Sequence, residues 1–182
     1  MEKKVDLRIQ KTTKAIREAF IQIRKKMPLE KVKVLDICRL AMINSSTFYD
    51  HYVDVFALSD QLENEILSKC FNDFKLKGSL FSESERFILT IPQNLEAQND
   101  LISTLFKDRQ EVLYMKLEKQ LLDYYRYAGI PMSKDILLSF IIGGTMRTMQ
   151  TLNSDKRYTE EQIAQEIAGF ISKLNTEDTV NG

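Results

Sequence analysis

Residues 34–52 read VLDICRLAMINSSTFYDHY, and this stretch decides which fold the chain can adopt. Its first half spaces apolar residues at helical intervals, which predicts a short amphipathic helix. Those residues are Val34, Ile37, Cys38 and Ala41. Asn44 or Ser45 can cap a second short helix by accepting a hydrogen bond from a free amide of its first turn, and Phe48 and Tyr52 then share one face. The stretch therefore predicts two short helices joined by a tight connection, a helix-turn-helix.

Helical periodicity continues on both sides of this pair, and no segment is typical of a strand. A first helix has its apolar stripe at Ile16, Ala19, Phe20, Ile23 and Met27 and is ended by Pro28. We predict the later helices over residues 54–77, 82–91, 99–107, 108–128, 134–152 and 159–174, with Gly78 and Gly129 at helix ends. The sequence therefore predicts an all-α fold of about nine helices, with an N-terminal domain over residues 1–53 and a helical body over residues 54–182.

Capping patterns and a proline set several of these boundaries. Asp54 is the cap candidate for the long helix that follows it. The pairs Ser82 with Glu85 and Thr159 with Gln162 have the spacing of a capping box, in which two side chains satisfy free backbone N–H groups at a helix start. Pro92 predicts that the helix opened by Ser82 ends near residue 91, because proline lacks an N–H and clashes inside a helix.

The overall charge is zero, but the charges are distributed unevenly. Residues 1–50 contain 12 Lys and Arg against 6 Asp and Glu, whereas the remainder contains 14 against 20. A basic N-terminal part on an acidic body is typical of a chain whose N-terminal part binds a polyanion. Chance variation of charge along the chain is the alternative.

Several classes of function find no support in the sequence. The N-terminal residues MEKKVDLR lack the apolar core of a signal peptide, and the longest apolar run, residues 136–144, is too short to cross a bilayer. Cys38 and Cys70 lie on apolar stripes, which indicates buried, reduced thiols. The chain has no glycine-rich phosphate loop, no CxxC and no HExxH. We therefore predict a cytoplasmic protein with no catalytic site, no cofactor, no metal and no membrane partner.

The outward face of the second short helix carries short polar side chains. These are Asn44, Ser45, Ser46, Thr47, Tyr49, Asp50 and His51. Hydroxyl and amide groups can donate to phosphate, and nearby cations supply an attraction that does not depend on base sequence. The cations are Lys11, Lys14, Lys31, Lys33 and Arg39. The residues alone leave two interpretations open, DNA binding and a helical protein-interaction module.

The stretch from Thr12 to Leu58 resembles the DNA-binding head of TetR-family regulators. It has a first helix, a valine-led second helix containing Asp-Ile, and TFYDHY over residues 47–52 where the family has T-[LF]-Y-x-H-[FY]. The TFYxH form, preceded by Ile-Asn, is most similar to the regulators of dihydroxyacetone-kinase operons. The resemblance implies a transcriptional repressor that binds a double-stranded DNA operator as a homodimer and is relieved by a small-molecule effector.

The resemblance also implies roles for single residues. Lys33 would contact a phosphate at the start of the second helix, and Ser45 and Ser46 would face base edges. The other contacts would be made to the DNA backbone by Asn44, Thr47, Tyr49 and His51. Phe48 and Tyr52 would belong to the core.

Three positions depart from the family pattern. Met42 stands where the turn has glycine, a residue that tolerates positive φ at little cost. Val55 follows Asp54 where the family has lysine, so one phosphate contact is missing. Asp50 can accept from a cytosine amine, but it repels phosphate. These departures predict weaker or unusual DNA binding, and they leave open a TetR-like coactivator or degenerate relative that acts mainly through protein contacts.

The helices after residue 80 are expected to bind an effector and a second copy of the chain. The resemblance implies an effector pocket among residues 82–128, with ordinary core packing as the alternative for each candidate, Phe87, Phe106, Tyr114, Leu117 and Tyr125. The dimer would form through helices 134–152 and 159–174, with Phe140, Gly143, Gly144, Arg147, Ile167 and Phe170 in the interface. Each glycine costs about 1 kcal/mol relative to alanine in a helix, which favours a close approach between subunits over a kink or a packing site within one subunit.

Overall fold

A computed structural model describes residues 7–72, 79–127, 135–152 and 157–177, and over these ranges the chain is helical without a strand. The helices are α1 Leu7–Arg24, α2 Val34–Ala41, α3 Ser45–His51, α4 Val55–Asn72, α5 Ser79–Ser82, α6 Ser84–Ala97, α7 Asn99–Leu105, α8 Gln110–Tyr127, α9 Asp135–Leu152 and α10 Glu160–Glu177. The predicted all-α fold of about nine helices is confirmed, since α5 is a single turn. None of the helices in these ranges is long and apolar enough to cross a membrane.

The chain divides into two compact units. One comprises Met1–Leu67 with Asn99–Gln110, and the other comprises Ser68–Gln98 with Glu111–Gly182. The sequence predicts a boundary between residues 53 and 54, whereas the compact units group most of α4 and the whole of α7 with the first three helices. Contacts made by two arginines of the first unit account for this grouping.

The first of these arginines, Arg24, ties α7 to the end of α1. Ile16, Ala19, Phe20 and Ile23 of the predicted stripe are buried, but α1 ends at Arg24, before Met27, which is half-buried. Arg24 itself is completely buried. Its guanidinium donates to the carbonyl of Met27 at 2.7 Å and to the carbonyl of Leu105, the last residue of α7, at 2.9 Å. Burial, together with the nearby charge of Arg109, lowers the pKa of Arg24. Because a buried cation needs hydrogen-bond acceptors, these two carbonyls fix where α7 lies against α1.

The second arginine, Arg109, pairs with a carboxylate on α4. Glu63 is only 1 % exposed, and one of its oxygens accepts from Ser59 Oγ and from Arg109 Nη1, both at 2.6 Å. Arg109 follows Asp108, whose φ of 60° turns the chain between α7 and α8. Segments far apart in sequence are thus joined in one unit by a buried ionic group.

The second unit packs α10 against α6 and α9. Its core is formed by apolar side chains from five helices, and these include Leu80, Phe87, Ile88, Leu121, Tyr125, Leu138, Ile141, Ile142, Ile163, Ala164 and Ile171. The predicted capping box at the start of α10 is confirmed. The Thr159 N–H donates to Gln162 Oε1 at 3.0 Å, and the Gln162 N–H donates to Thr159 Oγ1 at 3.2 Å.

The predicted bounds of α6 are wrong at both ends. Ser82 ends α5 instead of capping α6, which begins at Ser84, and the Glu83 carbonyl accepts from the Phe87 N–H at 2.9 Å. The helix then continues through Pro92 to Ala97. Proline removes one N–H from the helical ladder, and the packing of α6 against α10 outweighs that loss. The predicted helix ends at Gly78 and Gly129 lie outside the described residues.

Candidate nucleic-acid interface

The predicted helix-turn-helix is formed by α2 and α3, and its turn is made by Met42. This residue ends α2 in the left-handed region, with φ 55° and ψ 43°. The following N–H, that of Ile43, donates to the Cys38 carbonyl at 3.0 Å, which closes the end of the helix. Left-handed geometry at this position is the reason glycine is favoured there. The methionine therefore keeps the glycine-type turn, and its side chain is 92 % exposed.

The start of α3 is organised by Asn44, one of its two predicted cap candidates. Its Oδ1 accepts from the Thr47 N–H at 2.7 Å, from Thr47 Oγ1 at 2.7 Å and from Ser46 Oγ at 2.8 Å. The Ser46 and Thr47 hydroxyls therefore both donate to Asn44, and each can still accept a hydrogen bond from another group. The Asn44 amide nitrogen makes no hydrogen bond to any other residue in the described ranges, so it remains a donor.

The inner face of α3 is held by two aromatic residues. Phe48 is completely buried, Tyr52 is nearly so, and their ring centroids lie 5.8 Å apart. The Tyr52 hydroxyl accepts from Arg17 Nε at 3.0 Å. The predicted core role of both residues is confirmed, and it fixes which side of α3 faces outward.

The predicted DNA contacts on α3 and its cap lie on one short segment. Four of the polar residues there are exposed, namely Asn44, Ser46, Tyr49 and Asp50, and three are half-buried, namely Ser45, Thr47 and His51. Lys33 occupies the cap position of α2, where it is exposed and makes no capping bond with its side chain. The structure thus leaves this whole set within reach of solvent.

The predicted cations of the head differ in how they are held. Lys14 pairs with Glu18 on α1 at 3.8 Å, and Arg39 pairs with Asp36 on α2 at 3.5 Å. Both pairs are exposed. Exposed pairs of this kind contribute little to stability, so they yield easily to a phosphate. The other three are exposed and form no ion pair within the described part of the chain, and they are Lys11, Lys31 and Lys33.

The single histidine of the chain contacts α1. His51 Nδ1 lies 3.2 Å from Thr13 Oγ1, and the His51 ring lies 6.3 Å from the ring of Tyr52 at an interplanar angle of 31°. Sequence reasoning missed Thr13, because the two residues are 38 positions apart and no local pattern links them.

The predicted cap residue and one of the three departures lie at the start of α4. Asp54 Oδ1 accepts from the Ala57 N–H at 2.7 Å, which confirms the predicted cap. Val55 is buried and belongs to the core. The head also exposes apolar side chains, including Met42, Val53 and Phe56. An apolar component of this kind is more typical of protein contacts than of DNA contacts.

The predicted effector residues divide between the two compact units. Phe106 belongs to the first compact unit, whereas the other four belong to the second. Phe87 and Tyr125 pack in the core with ring centroids 6.3 Å apart, and burial raises the pKa of the Tyr125 phenol far above its ordinary value. Leu117 is buried as well. Tyr114 lines a groove of about 330 Å³ between α8 and α9.

The predicted dimer residues lie on α9 and α10. Phe140 is 72 % exposed and Phe170 is 59 % exposed, and Gly144 and Arg147 are exposed too. Ile167 is half-buried against the core of its own unit. A side chain at Gly143 would meet Glu118 Oε1 at 3.3 Å, whereas one at Gly144 would meet nothing within 4 Å. Packing within one chain thus accounts for Gly143 but not for Gly144.

Comparison with known proteins adds no relative from which residue roles could be transferred. No family model and no curated protein matches this chain. Among the residues that the structure describes, no group of three or more potential metal ligands occurs. The candidate interface therefore has to be interpreted from its own geometry.

Proposed function

We propose that the chain is a DNA-binding transcription regulator of the TetR type, in which α3 enters the major groove of an operator. One observation carries the proposal: Phe48 and Tyr52 anchor one face of α3 in the core while its other face offers polar side chains to solvent. A reading helix needs this division, because the helix must be held rigidly while its outer groups reach the duplex. Exposed lysines in the same unit supply the attraction to phosphate.

Contacts to bases and contacts to phosphates fall to different residues. Ser45 and Ser46 face base edges, whereas Asn44, Thr47, Tyr49, His51 and Lys33 contact the backbone. In the free protein the Ser46 and Thr47 hydroxyls donate to Asn44, so the Asn44 amide and the phenol of Tyr49 are the readier donors to phosphate. Phosphate contacts position the helix, and base contacts give sequence preference.

The chain acts as a homodimer and represses transcription until an effector binds. Two heads must lie roughly 34–36 Å apart to engage successive turns of one duplex. The exposed phenylalanines of α9 and α10 support an interface there. An effector relieves repression only if it binds one spacing of the heads better than another, because a ligand with equal affinity for both states shifts nothing.

Fluorescence anisotropy tests DNA binding directly. The probe is a labelled duplex from the region upstream of the chain's own gene, and a shuffled duplex of equal length and composition is the control. We expect tighter binding to the upstream duplex, and a loss of at least about tenfold in affinity between about 50 and about 200 mM salt, as displaced counterions require. Absence of binding to either duplex at the lower salt concentration would refute the proposal.

A variant of the single histidine tests the backbone role. We expect His51→Ala to weaken binding to the upstream and shuffled duplexes by similar factors, because a phosphate contact carries no base preference. Lys119→Ala, on the exposed side of α8, is the control and should bind as the wild type does. Unchanged affinity of His51→Ala for both duplexes would remove His51 from the interface.

The exposed apolar residues of the head favour a second candidate, a coactivator that acts mainly through a protein partner. Val53 and Phe56 are exposed at the start of α4, and Asp50 adds a negative charge to the outer face of α3. Under this alternative, Val53→Ser with Phe56→Ser lowers expression of a reporter gene in cells and leaves DNA affinity in vitro unchanged. Under the main proposal, reporter output follows DNA affinity alone.

A further inference from the structure

We propose that Thr13 on α1 is a positioning residue for His51: its hydroxyl donates to Nδ1, which keeps the imidazole proton on Nε2, the nitrogen that can then donate to a DNA phosphate. This inference rests on the proposed function, and it adds a residue that the polar face of α3 does not contain. The contact joins α1 to the end of α3 inside the first compact unit.

The direction of the hydrogen bond follows from the partners at hand. Neutral imidazole has one donor and one acceptor nitrogen, whereas a hydroxyl can act as either. Thr12, the neighbour on α1, donates back to the Arg8 carbonyl at 2.9 Å, but Thr13 makes no such bond within the described residues, and its contact is His51 Nδ1. If Nδ1 carried the proton, the half-buried hydroxyl would lack a protein acceptor. Donation by Thr13 satisfies both groups.

The proton on Nε2 matters because phosphate oxygens only accept hydrogen bonds. With Nδ1 occupied as an acceptor, Nε2–H is a donor, and it lies at the far side of the ring from α1. The opposite tautomer would turn a lone pair toward the phosphate. One hydroxyl on α1 thereby decides whether the histidine attracts or repels the DNA backbone.

The same face of α1 also fixes the residue next to His51. Arg17, one helical turn beyond Thr13, donates from Nε to the Tyr52 hydroxyl at 3.0 Å. Its two terminal nitrogens donate to the two carboxylate oxygens of Glu65 on α4, at 2.6 and 2.7 Å. Tyr52, buried and bonded to an Arg17 that Glu65 holds in turn, anchors the end of α3 next to His51, and Thr13 contacts the His51 ring itself.

The first experiment is a direct measurement of the tautomer. Because the chain has one histidine, a long-range ¹H–¹⁵N spectrum of the untagged protein contains a single imidazole. At about pH 8.5, where imidazoles are ordinarily neutral, we expect the Nε2–H pattern in the wild type and in Thr13→Ser. Thr13→Val should show a mixture of tautomers. The Nδ1–H pattern in the wild type, or an unchanged pattern in Thr13→Val, would overturn the inference.

The second experiment measures the coupling of the two residues in DNA binding. Losing one hydrogen bond of ordinary strength predicts a loss of about 2- to 10-fold in affinity for Thr13→Val, whereas Thr13→Ser should bind as the wild type does. In the His51→Ala background, Thr13→Val should cause no further loss, because its effect acts through the imidazole. An equal loss in both backgrounds would show that Thr13 only stabilises the head, and would contradict the proposal.

The two experiments separate this inference from the proposed function. A wild type with the Nε2–H pattern that binds no duplex would leave the positioning of the ring intact and refute DNA binding. A wild type that binds DNA with the opposite tautomer would support the regulator and refute the role of Thr13. Circular dichroism of each variant confirms that the helical fold is retained.

Discussion

Met42 forms the turn between α2 and α3 in a backbone conformation that is strained for a residue with a side chain. Its backbone is left-handed, and its side chain is almost fully exposed. A side chain with a Cβ is strained in this region, whereas glycine is not. Because so little of the methionine side chain is buried, its packing compensates little for that strain.

Two substitutions of Met42 isolate the strain. Met42→Gly and Met42→Ala both remove an exposed side chain, but only glycine relieves the left-handed backbone. We expect Met42→Gly to have the higher free energy of unfolding, by about 1 kcal/mol, as measured by chemical denaturation. Equal stability of the two variants would show that the turn relaxes without cost.

Local chemistry was sufficient to predict several helix caps, and distance along the chain explains the residue that was missed. Asn44, Asp54 and Thr159 could be assigned as caps because a cap acts within its own turn. Thr13 could not be found in this way, because its partner lies 38 residues on, and the α3 sequence contains no signal for it. The effector candidates cannot be told from core residues in this way, since aromatic residues at helical spacing look alike in a core and in a pocket.

At the scale of elements, α1 contacts its neighbours in the first compact unit through polar as well as apolar side chains. Its Arg17 joins Tyr52 of the α3 end to Glu65 of α4. Burial opposes the charged form of Glu65, but hydrogen bonds from Arg17 and Gln61 outweigh it, so the pKa of this carboxyl lies below its ordinary value. The folded state therefore gains stability from the ionised carboxylate.

The hydrogen-bonded pair of Arg17 and Glu65 predicts that the free energy of unfolding depends on pH. A depressed folded pKa contributes stability above the ordinary pKa of glutamate, about 4.3, and that contribution is lost as pH falls through the folded value. We expect Glu65→Gln to be less stable than the wild type at pH 7, and the difference to shrink as the pH is lowered below about 4. Urea denaturation of both proteins across this range measures it, and a difference independent of pH would contradict this prediction.

Breaking the buried pair of Glu63 and Arg109 should lower the free energy of unfolding more than Glu65→Gln does. Arg109→Met removes the cation from a carboxylate that is almost wholly inside the protein. We expect a loss of about 2–3 kcal/mol, somewhat less than for a fully enclosed pair because Arg109 is partly exposed. The matched control is Arg86→Met, which breaks an exposed pair with Glu83 at 3.2 Å and should cost less than about 1 kcal/mol. Similar losses in both variants would mean that the burial of Glu63 contributes nothing.

The helices themselves were largely predictable, and the error at the end of α6 has a tertiary cause. Apolar periodicity and caps gave the bounds of α2, α3, α7 and α10 closely. At α6 the local signal of Pro92 predicted an end, but the helix continues because it packs against α10, which lies far away in sequence. Propensity is a local preference, and tertiary packing overrides it where a helix face is covered.

At the scale of the whole molecule, the apolar residues that α9 and α10 leave exposed are the observation that most strongly supports the proposed dimer. Ile136 and Phe140 on α9, and Phe170 on α10, are all mostly exposed. Isolated exposed apolar residues are ordinary, but several on two helices that the resemblance pairs with their copies support the proposed dimer.

Light scattering at micromolar concentration tests the dimer. We expect twice the mass of the chain for the wild type and a single chain for Phe140→Glu with Phe170→Glu. Since both side chains are exposed in one chain, the variant should keep its helical content. Leu35→Glu, an exposed apolar residue of α2, is the control and should keep the dimeric mass. A wild type of single mass would remove the interface assigned to α9 and α10.

Asn44 accepts three hydrogen bonds that stabilise the start of α3, and the same side chain is a proposed DNA contact. The residue that is best for stability can therefore differ from the residue that is best for DNA binding. An aspartate at this position would cap α3 as well, and its charge would suit the positive end of the helix. The same change would replace the amide donor by an anion on the face that we propose contacts DNA. Asn44→Asp should therefore raise the melting temperature of the chain while it lowers its affinity for nucleic acid, so selection for stability alone would choose the wrong residue here.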